Sequence, residues 1–467
     1  MATVKFLGAA QEVTGSCHMF EAPAFGRILF DCGMHQGGNP VEREPKETFL
    51  FDPNTIDAVI LSHAHLDHSG MLPKLVHDGY NGPIHCADAT ADLLGVMLLD
   101  SVNIYLGDLQ HENRRRARKG KPTLEPEYTK EDVLKTLSLC QTHNYKTEFA
   151  ISRSANVKFY DAGHILGSAI IELSFNDKGK HKTVVFSGDL GNKNAVLMNA
   201  PTLLTKADLV LMEGTYGDRN HRPIEDTVTQ LKEILAETQT RGGNIMIPAF
   251  AVGRTQELLF YLGQLHREGL LDNWQVILDS PMAIEVTKVY DRWFKSLDNR
   301  EIEEVTPAAH SIIRDFIPRL FLSITTENSM AINNISKGAL IIAGSGMCTG
   351  GRIRHHFKQR IWDRRNTIIF CGFQAKGTLG RLLVDGKETI KMFNESYSVK
   401  SQIETLGGFS AHAGQQELID WVANFNSSAR VVLVHGDPEA LEALSQRLWK
   451  EKQIATDIPA VGHCIAI

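Results

Sequence analysis

Short, unbroken apolar runs punctuate the chain, and several end on the same kind of residue. "AVILSHAHLDH" leads into His63, His65, Asp67 and His68, "VKFYDAGH" into His164, "TVVFSGD" into Asp189, "LVLMEG" into Glu213 and "RVVLVHGD" into His435. Continuous β-branched runs bounded by turn-forming residues read as buried strands. In α/β sheets reactive groups gather beyond one edge, at the strand ends. The histidines and carboxylates are therefore expected to converge in space although they are scattered in sequence.

Between about residues 217 and 408 the pattern changes to strands and helices in alternation. "GNIMIPAF", "NWQVILDSPMA", "ALIIAGSGM" and "NTIIFCGF" read as strands, and "GRTQELLFYLGQLHREG" and "RIRHHFKQRIW" as helices, the first stopping at Gly269. That alternation predicts βαβ units and a parallel sheet. Ligand candidates occur on both sides of it, so it reads as an insertion. The expected organisation is residues 1–212 and 409–467 as one interrupted domain and 213–408 as the inserted α/β domain.

Composition narrows the setting. The formal charge of −6 over 467 residues opposes nonspecific binding of a polyanion over the whole surface. One dense basic run remains, "RRRARKGK", Arg114 to Lys121, which is either a solvated loop or helix face or a phosphate contact. Seven cysteines, an odd number with no Cys-x-x-Cys pair, predict reduced thiols and exclude a zinc ribbon. No uninterrupted apolar run approaches the roughly eighteen residues of a membrane span, and "MATVKFLGAAQEV" has no signal-peptide pattern. A cytoplasmic protein that meets no membrane is the expectation.

The chemistry concentrates in "SHAHLDHSG", Ser62 to Gly70, with three imidazoles and a carboxylate within six residues. Zinc accepts imidazole nitrogen and carboxylate oxygen, and two such ions about 3.5 to 4 Å apart can activate water against a phosphodiester. His63 and His65 can share one ion, completed by His164. Asp67 and His68 turn into the following helix and can face a second, completed by His435, with Asp189 suited to bridge the two. Asp31 in "LFDCG" is expected to orient a ligand histidine rather than to bind metal. The glycine-rich "GSGMCTGGR" is either a tight turn or a phosphate cradle at a helix start, and the pair His355 and His356 reads as a helix face.

"SHAHLDH" with His164, Asp189 and His435 resembles the metallo-β-lactamase superfamily. "GAAQEVTGSCH", "MEGTYGDR" with Glu213, "GGFSAHAG" with His412, and "LVHGD" with His435 narrow the resemblance to its β-CASP nucleases, over about residues 4 to 440. "IPAFAVGRTQELL", "LDSPMA" and "AGSGMCTGGR" look like that family's inserted domain. The resemblance implies a four-layer αββα domain interrupted by a parallel-sheet α/β β-CASP domain. It also implies a dizinc centre, with one Zn2+ on His63, His65 and His164, the other on Asp67, His68 and His435, and Asp189 between them. Asp67, Glu213 and His412 form the implied catalytic set, His412 serving the leaving oxygen. One departure is Asp437, where the family usually has glutamate at a position that binds no metal.

The expected function is a zinc-dependent ribonuclease that hydrolyses single-stranded RNA by a dizinc-activated hydroxide, endonucleolytically, with a homodimer allowed for. Arg114, Arg115, Arg116, Ser345 and Arg352 are the expected RNA contacts. A DNA nuclease of the same family is the nearest alternative; its members tend to carry valine where this chain has His435. A nuclease-inactive RNA-binding scaffold is opposed by the complete ligand set, and a small-molecule hydrolase by the inserted domain.

Overall fold

The computed structural model describes residues 2–35, 48–293, 317–372, 374–375 and 377–467. The chain forms two compact units, residues 1–220 with 412–467, and residues 221–411.

The first unit is built on two seven-stranded sheets. In spatial order one runs Cys464–Ala466, Thr3–Gly8, Cys17–Ala22, Gly26–Phe30, Ala58–Ile60, Ile84–Ala87, Cys140–His143, antiparallel through the first four strands and parallel beyond. The other runs Thr456–Asp457, Arg430–Val434, Leu209–Glu213, Lys180–Phe186, Ala169–Asp177, Ala155–Asp161, Glu148–Ser152. Its first four strands are parallel and the rest antiparallel. Alternate residues divide between its faces, as side chains in a strand must. Phe159, Ile171, Val184, Phe186, Leu211 and Val432 meet Phe6, Phe20, Phe30 and Ile60 of the first sheet. Val185, Val210, Met212 and Leu433 meet Leu418, Ile419, Leu441 and Leu444 of helices Gln415–Val422 and Pro438–Lys452. Both faces of the second sheet are thus buried, which is why its parallel strands read as unbroken apolar runs. Helices Leu72–His77, Asp88–Arg118 and Lys130–Ser138 accompany the first sheet, giving the αββα arrangement. Truncating a buried ring such as Phe186 to alanine costs about 3–5 kcal/mol at such a site.

Two expectations need adjusting. Helix Asp88–Arg118 carries a stretch long and apolar enough to cross a membrane, which the search for uninterrupted apolar runs passed over because Asp92 and Asp100 interrupt it. Its Ala89, Leu93, Leu94, Met97, Leu98 and Val102 are buried within the unit. The unit boundaries fall at 220/221 and 411/412 rather than at 212/213 and 408/409. Glu213 to Asn220 stay with the first unit because Gly214 and Gly217 lie so close to Leu441 and Ala440 that an added Cβ would fall 2.5 and 2.4 Å from them. Phe409 belongs with the second unit, its ring 5.0 Å from that of Tyr261.

The second unit holds a six-stranded, wholly parallel sheet in the order Phe321–Leu322, Gln275–Leu278, Ala339–Ala343, Ile245–Pro248, Thr367–Phe370, Gln402–Thr405. Helices that include Ile224–Thr240, Arg254–Arg267 and Ile353–Arg360 connect the strands, as parallel crossovers require. A two-stranded hairpin, Thr389–Met392 with Glu395–Ser398, stands apart from the sheet. Among the described residues the seven cysteines form no disulfide.

Candidate active site

The ligand candidates meet within the first unit. Ile60 ends a central strand, and the chain turns through His63 into the short helix Leu66–Ser69, which carries Asp67 and His68 on its first turn. Gly33 is required here: a Cβ on it would sit 1.6 Å from the carbonyl oxygen of Asp67. Gly191 plays the same part between two other ligand loops, since its Cβ would fall 1.8 Å from the carbonyl oxygen of Gly163, beside His164.

Two clusters share one carboxylate. His63 Nε2 and His164 Nε2 each lie 3.1 Å from His65 Nδ1, and Asp189 Oδ2 lies 3.5 Å from His63 Nε2 and 3.6 Å from His164 Nε2. On the other side, His68 Nε2 is 3.1 Å from His435 Nε2, Asp67 Oδ2 is 3.6 Å from His435 Nε2, and Asp189 Oδ1 is 3.3 Å from His68 Nε2. The groups His63, His65, His164, Asp189 and Asp67, His68, His435 each converge closely enough to hold a metal ion.

The donor chemistry fits a cation. Within the first cluster, burial pushes the His63 imidazole well below its ordinary value and the His65 imidazole down to about 4, so both are neutral and offer lone pairs. The two separations of 3.1 Å from His65 Nδ1, to His63 Nε2 and to His164 Nε2, are close to the roughly 3.3 Å expected between ligand nitrogens around tetrahedral zinc with bonds near 2.05 Å. Asp189 Oδ1 is buried and makes no hydrogen bond. Burial would raise the Asp189 carboxyl, but His435, His68 and His63 outweigh it and hold the group ionised, well below the carboxylate range. Asp67 is likewise held down to about 2 against burial, chiefly by its hydrogen bond to His435. Two ionised carboxylates, Asp189 buried and Asp67 half-buried, face five imidazoles, a set that suits a cation.

A ring of partners fixes the ligands. Asp31 Oδ2 lies 2.6 Å from His68 Nδ1 and also accepts from Ser16 Oγ and Ser62 Oγ, while its Oδ1 accepts from the Ser62 amide at 2.8 Å. It thereby aims His68 Nε2 at the cluster, the task assigned to it from sequence. Ser62 Oγ meets His63 Nδ1 at 3.0 Å. Thr215 Oγ1 donates to the His435 carbonyl at 3.2 Å and lies 3.1 Å from His435 Nδ1, from which it can accept. That pattern keeps the proton on Nδ1 and leaves Nε2 free. Neither Ser62 nor Thr215 stood out in the sequence, because hydroxyls are too common to mark a site. The one usable signal was position, one residue before His63 and two after Glu213.

Glu213 is fully buried and His412 is 21% exposed at its side chain. The carboxylate accepts from the Leu190 amide at 2.6 Å and the Thr215 amide at 3.3 Å, and His412 Nδ1 lies 3.2 Å from Oε1. A β-bridge between Gly191 and His412, and a hydrogen bond from the Ala413 amide to the Leu190 carbonyl at 2.7 Å, seat the histidine beside His164, 4.4 Å away between ring centroids. Burial disfavours its charge, but Glu213 foremost, then Asp189 and Asp67, lift it to about 9. A cation on Asp189 and Asp67 would cancel their share and leave that of Glu213.

The other sequence candidates lie elsewhere. Near the end of helix Asp88–Arg118, Arg114 and Arg115 are exposed and Arg116 is half-buried. Arg116 Nε donates to the Pro122 carbonyl, and Asn113 pairs with the Leu124 backbone, so the chain doubles back along the helix end. In the second unit Ser345 Oγ accepts from the Gly350 amide within its own loop. Arg352 turns inward, donating to Asp279 Oδ1 at 2.7 Å and to the carbonyls of Ser323 and Ile324. His356 Nε2 meets Asp279 Oδ2 at 2.7 Å. Its neighbour His355 is exposed.

The comparisons with known proteins agree with this geometry. Residues 14–136 match the metallo-β-lactamase superfamily, 255–383 the β-CASP domain and 396–459 the Zn-dependent metallo-hydrolase RNA specificity domain. A ribonuclease of Thermus thermophilus is 40% identical over 94% of this chain and 94% of its own. The transcription termination factor FttA of Methanosarcina mazei is 32% identical over 97% of this chain and 70% of its own, and an RNase J-like protein of Methanocaldococcus jannaschii is 29% identical over 100% of both. A crystal structure of a protein of unknown function from Enterococcus faecalis shares the fold, with a TM-score of 0.52 at 15% identity over 100% of both chains. On these matches, the chain belongs to the β-CASP family of the metallo-β-lactamase superfamily.

Proposed function

We propose that the protein is a zinc-dependent ribonuclease that cuts RNA phosphodiester bonds endonucleolytically at a two-metal centre. The observation that carries this reading is the single carboxylate, Asp189, whose two oxygens face two separate ligand clusters beside the Glu213–His412 pair. His63, His65 and His164 would hold one Zn2+, and Asp67, His68 and His435 the other, with Asp189 shared. Bound zinc ions would supply an activated water and charge stabilisation at the scissile phosphate.

The chain's own residues supply the rest. Asp31 and Thr215 keep His68 and His435 turned toward the centre. Glu213, pinned by two backbone amides, holds His412 with its proton on Nδ1 and favours the imidazolium, so Nε2–H can be delivered to the leaving oxygen. The preference for RNA draws support from the names of the relatives and from the matched RNA specificity domain. The exposed Arg114 and Arg115 would guide the strand from a distance.

The test incubates the zinc-loaded protein with circular and 5′-labelled linear RNA of one sequence and with the matching DNA, alongside elemental analysis. Cutting of circles, slower cutting of DNA and close to two zinc ions per chain are expected. Digestion only from RNA ends would remove the endonuclease assignment, and equal rates on DNA the RNA preference.

A further inference from the structure

The segment "RIRHHFKQRIWDRR", Arg352 to Arg365, carries six basic residues and one acid in the second unit. Helical phase sorts them. Arg352, His356 and Arg360, four apart, turn inward: the first two hold Asp279, and Arg360 donates to the Ile332 carbonyl. Arg354 and Lys358, again four apart and partly exposed, form the opposite stripe, which runs on past the helix to Trp362, 55% exposed.

The hairpin tip brings a second ring to this stripe. Phe393, 39% exposed, has the Arg354 guanidinium 4.9 Å and the Lys358 ammonium 5.8 Å from its ring centroid, with the His355 ring at 4.8 Å. Its φ is +52° and that of Asn394 +64°, a left-handed pair that two-residue hairpin turns normally fill with Asn-Gly. A bulky aromatic is a costly choice at such a position, and here the ring is not sheltered in return. Glu395 lies 3.7 Å from Lys358 with both side chains exposed, a pairing that polyanions can displace.

We propose that this stripe is a tract for single-stranded RNA, on which Trp362 and Phe393 stack bases while Arg354 and Lys358 hold the phosphates between them. The choice of RNA rests on the ribonuclease reading. Interleaved cations and exposed rings suit a strand that offers π-faces and phosphates alternately. Arg352, inward on Asp279, anchors the helix that presents the tract.

The test measures binding of a fluorescein-labelled oligouridylate of about 16 nucleotides to the full chain in chelator, so that nothing is cut. Phe393→Ala and Trp362→Ala should each raise Kd about tenfold, with Phe393→Tyr and Trp362→Phe restoring it. Arg354→Ala and Lys358→Ala should each flatten the slope of log Kd against log salt by about 0.7. Hydrolysis of bis(p-nitrophenyl) phosphate by the zinc-loaded variants should match wild type. Unchanged affinity and salt slope would overturn the tract. So would ring variants that alter only self-association in the ultracentrifuge, which would assign the rings to a contact between copies. A wild-type chain that binds through these residues but never cuts RNA would defeat the ribonuclease reading and leave the tract standing.

Discussion

Asp189 in the first unit and Asp279 in the second are both buried carboxylates among histidines, yet their surroundings are opposite. Asp279 accepts from Arg352, from Ser329 Oγ at 2.7 Å and from His356 at 2.7 Å, so protein donors close its charge. Around Asp189 burial holds His63 and His65 neutral, with lone pairs to offer, while His68 and His435 are drawn upward by the carboxylates they share, and Oδ1 is left without a hydrogen bond. A closed carboxylate ties elements together, and an open one among acceptors calls for a cation. Histidine content alone cannot separate the two cases; the balance of donors and acceptors does.

The sharpest way to break this contrast is Asp189→Ala. If the proposed metal pair is bound there, several kcal/mol of charge stabilisation would depend on it, so RNA cleavage should fall by about 10³-fold or more, with loss of zinc by elemental analysis. Retention of full zinc and activity would place Asp189 with Asp279 as a structural group. His412→Ala should follow, losing about 10²- to 10⁴-fold in kcat with zinc content unchanged. The Glu213 carboxylate favours the protonated imidazole, so removing its charge in Glu213→Gln should shift the alkaline limb of the pH–rate profile to lower pH. A limb that stays in place would separate Glu213 from the titration of His412.

Asp279→Asn should leave zinc content alone and lower the stability of the second unit by about 3 kcal/mol at neutral pH, because the Arg352 guanidinium loses its counter-charge. His356 first, then Ser323, Ser329 and Arg352, overcome burial and hold the Asp279 carboxyl far below its ordinary value. Its contribution is therefore complete above the unfolded carboxyl's value near 4 and fades as pH falls below it. The gap between wild type and variant in urea midpoints should narrow in acid. The smallest effect is expected from Thr215→Val, which frees the second nitrogen of His435 and should weaken zinc at the Asp67–His68–His435 cluster about 10- to 100-fold by competition with a chromogenic chelator. Thr215→Ser, which keeps the hydroxyl, should restore the affinity; equal weakening in both would mark a packing role.

What could be read from the chain follows from this physics. Strands buried on both faces have to be apolar throughout, so Leu209–Glu213 and Arg430–Val434 announced themselves and the site candidates at their ends, Glu213 and His435. The alternation in the second unit was legible for the same reason, and the strand at Ala339–Ala343 lies where "ALIIAGSGM" predicts it. The two-residue strand Phe321–Leu322 carries no periodicity and could not be seen. The direction of Arg352 was equally hidden, because helical phase is fixed only once the buried face containing Ile353 and Phe357 is known. Thr215 escaped because its importance depends on a partner 220 residues away.

That separation also sets a timetable for the newborn chain. The carboxylate of Glu213 and the imidazoles of His412 and His435 flank the whole second unit, so a ribosome must add roughly 220 residues after Glu213 before His435 exists. At about 5–20 residues per second that takes on the order of 10–45 seconds. Throughout that interval the early ligands, His63 to Asp189, can be in place while the acid pair and the second cluster are not. Until His435 is made the growing polypeptide would therefore be unable to cut its messenger, and competence would arrive with the strand Arg430–Val434 as it docks beside Leu209–Glu213.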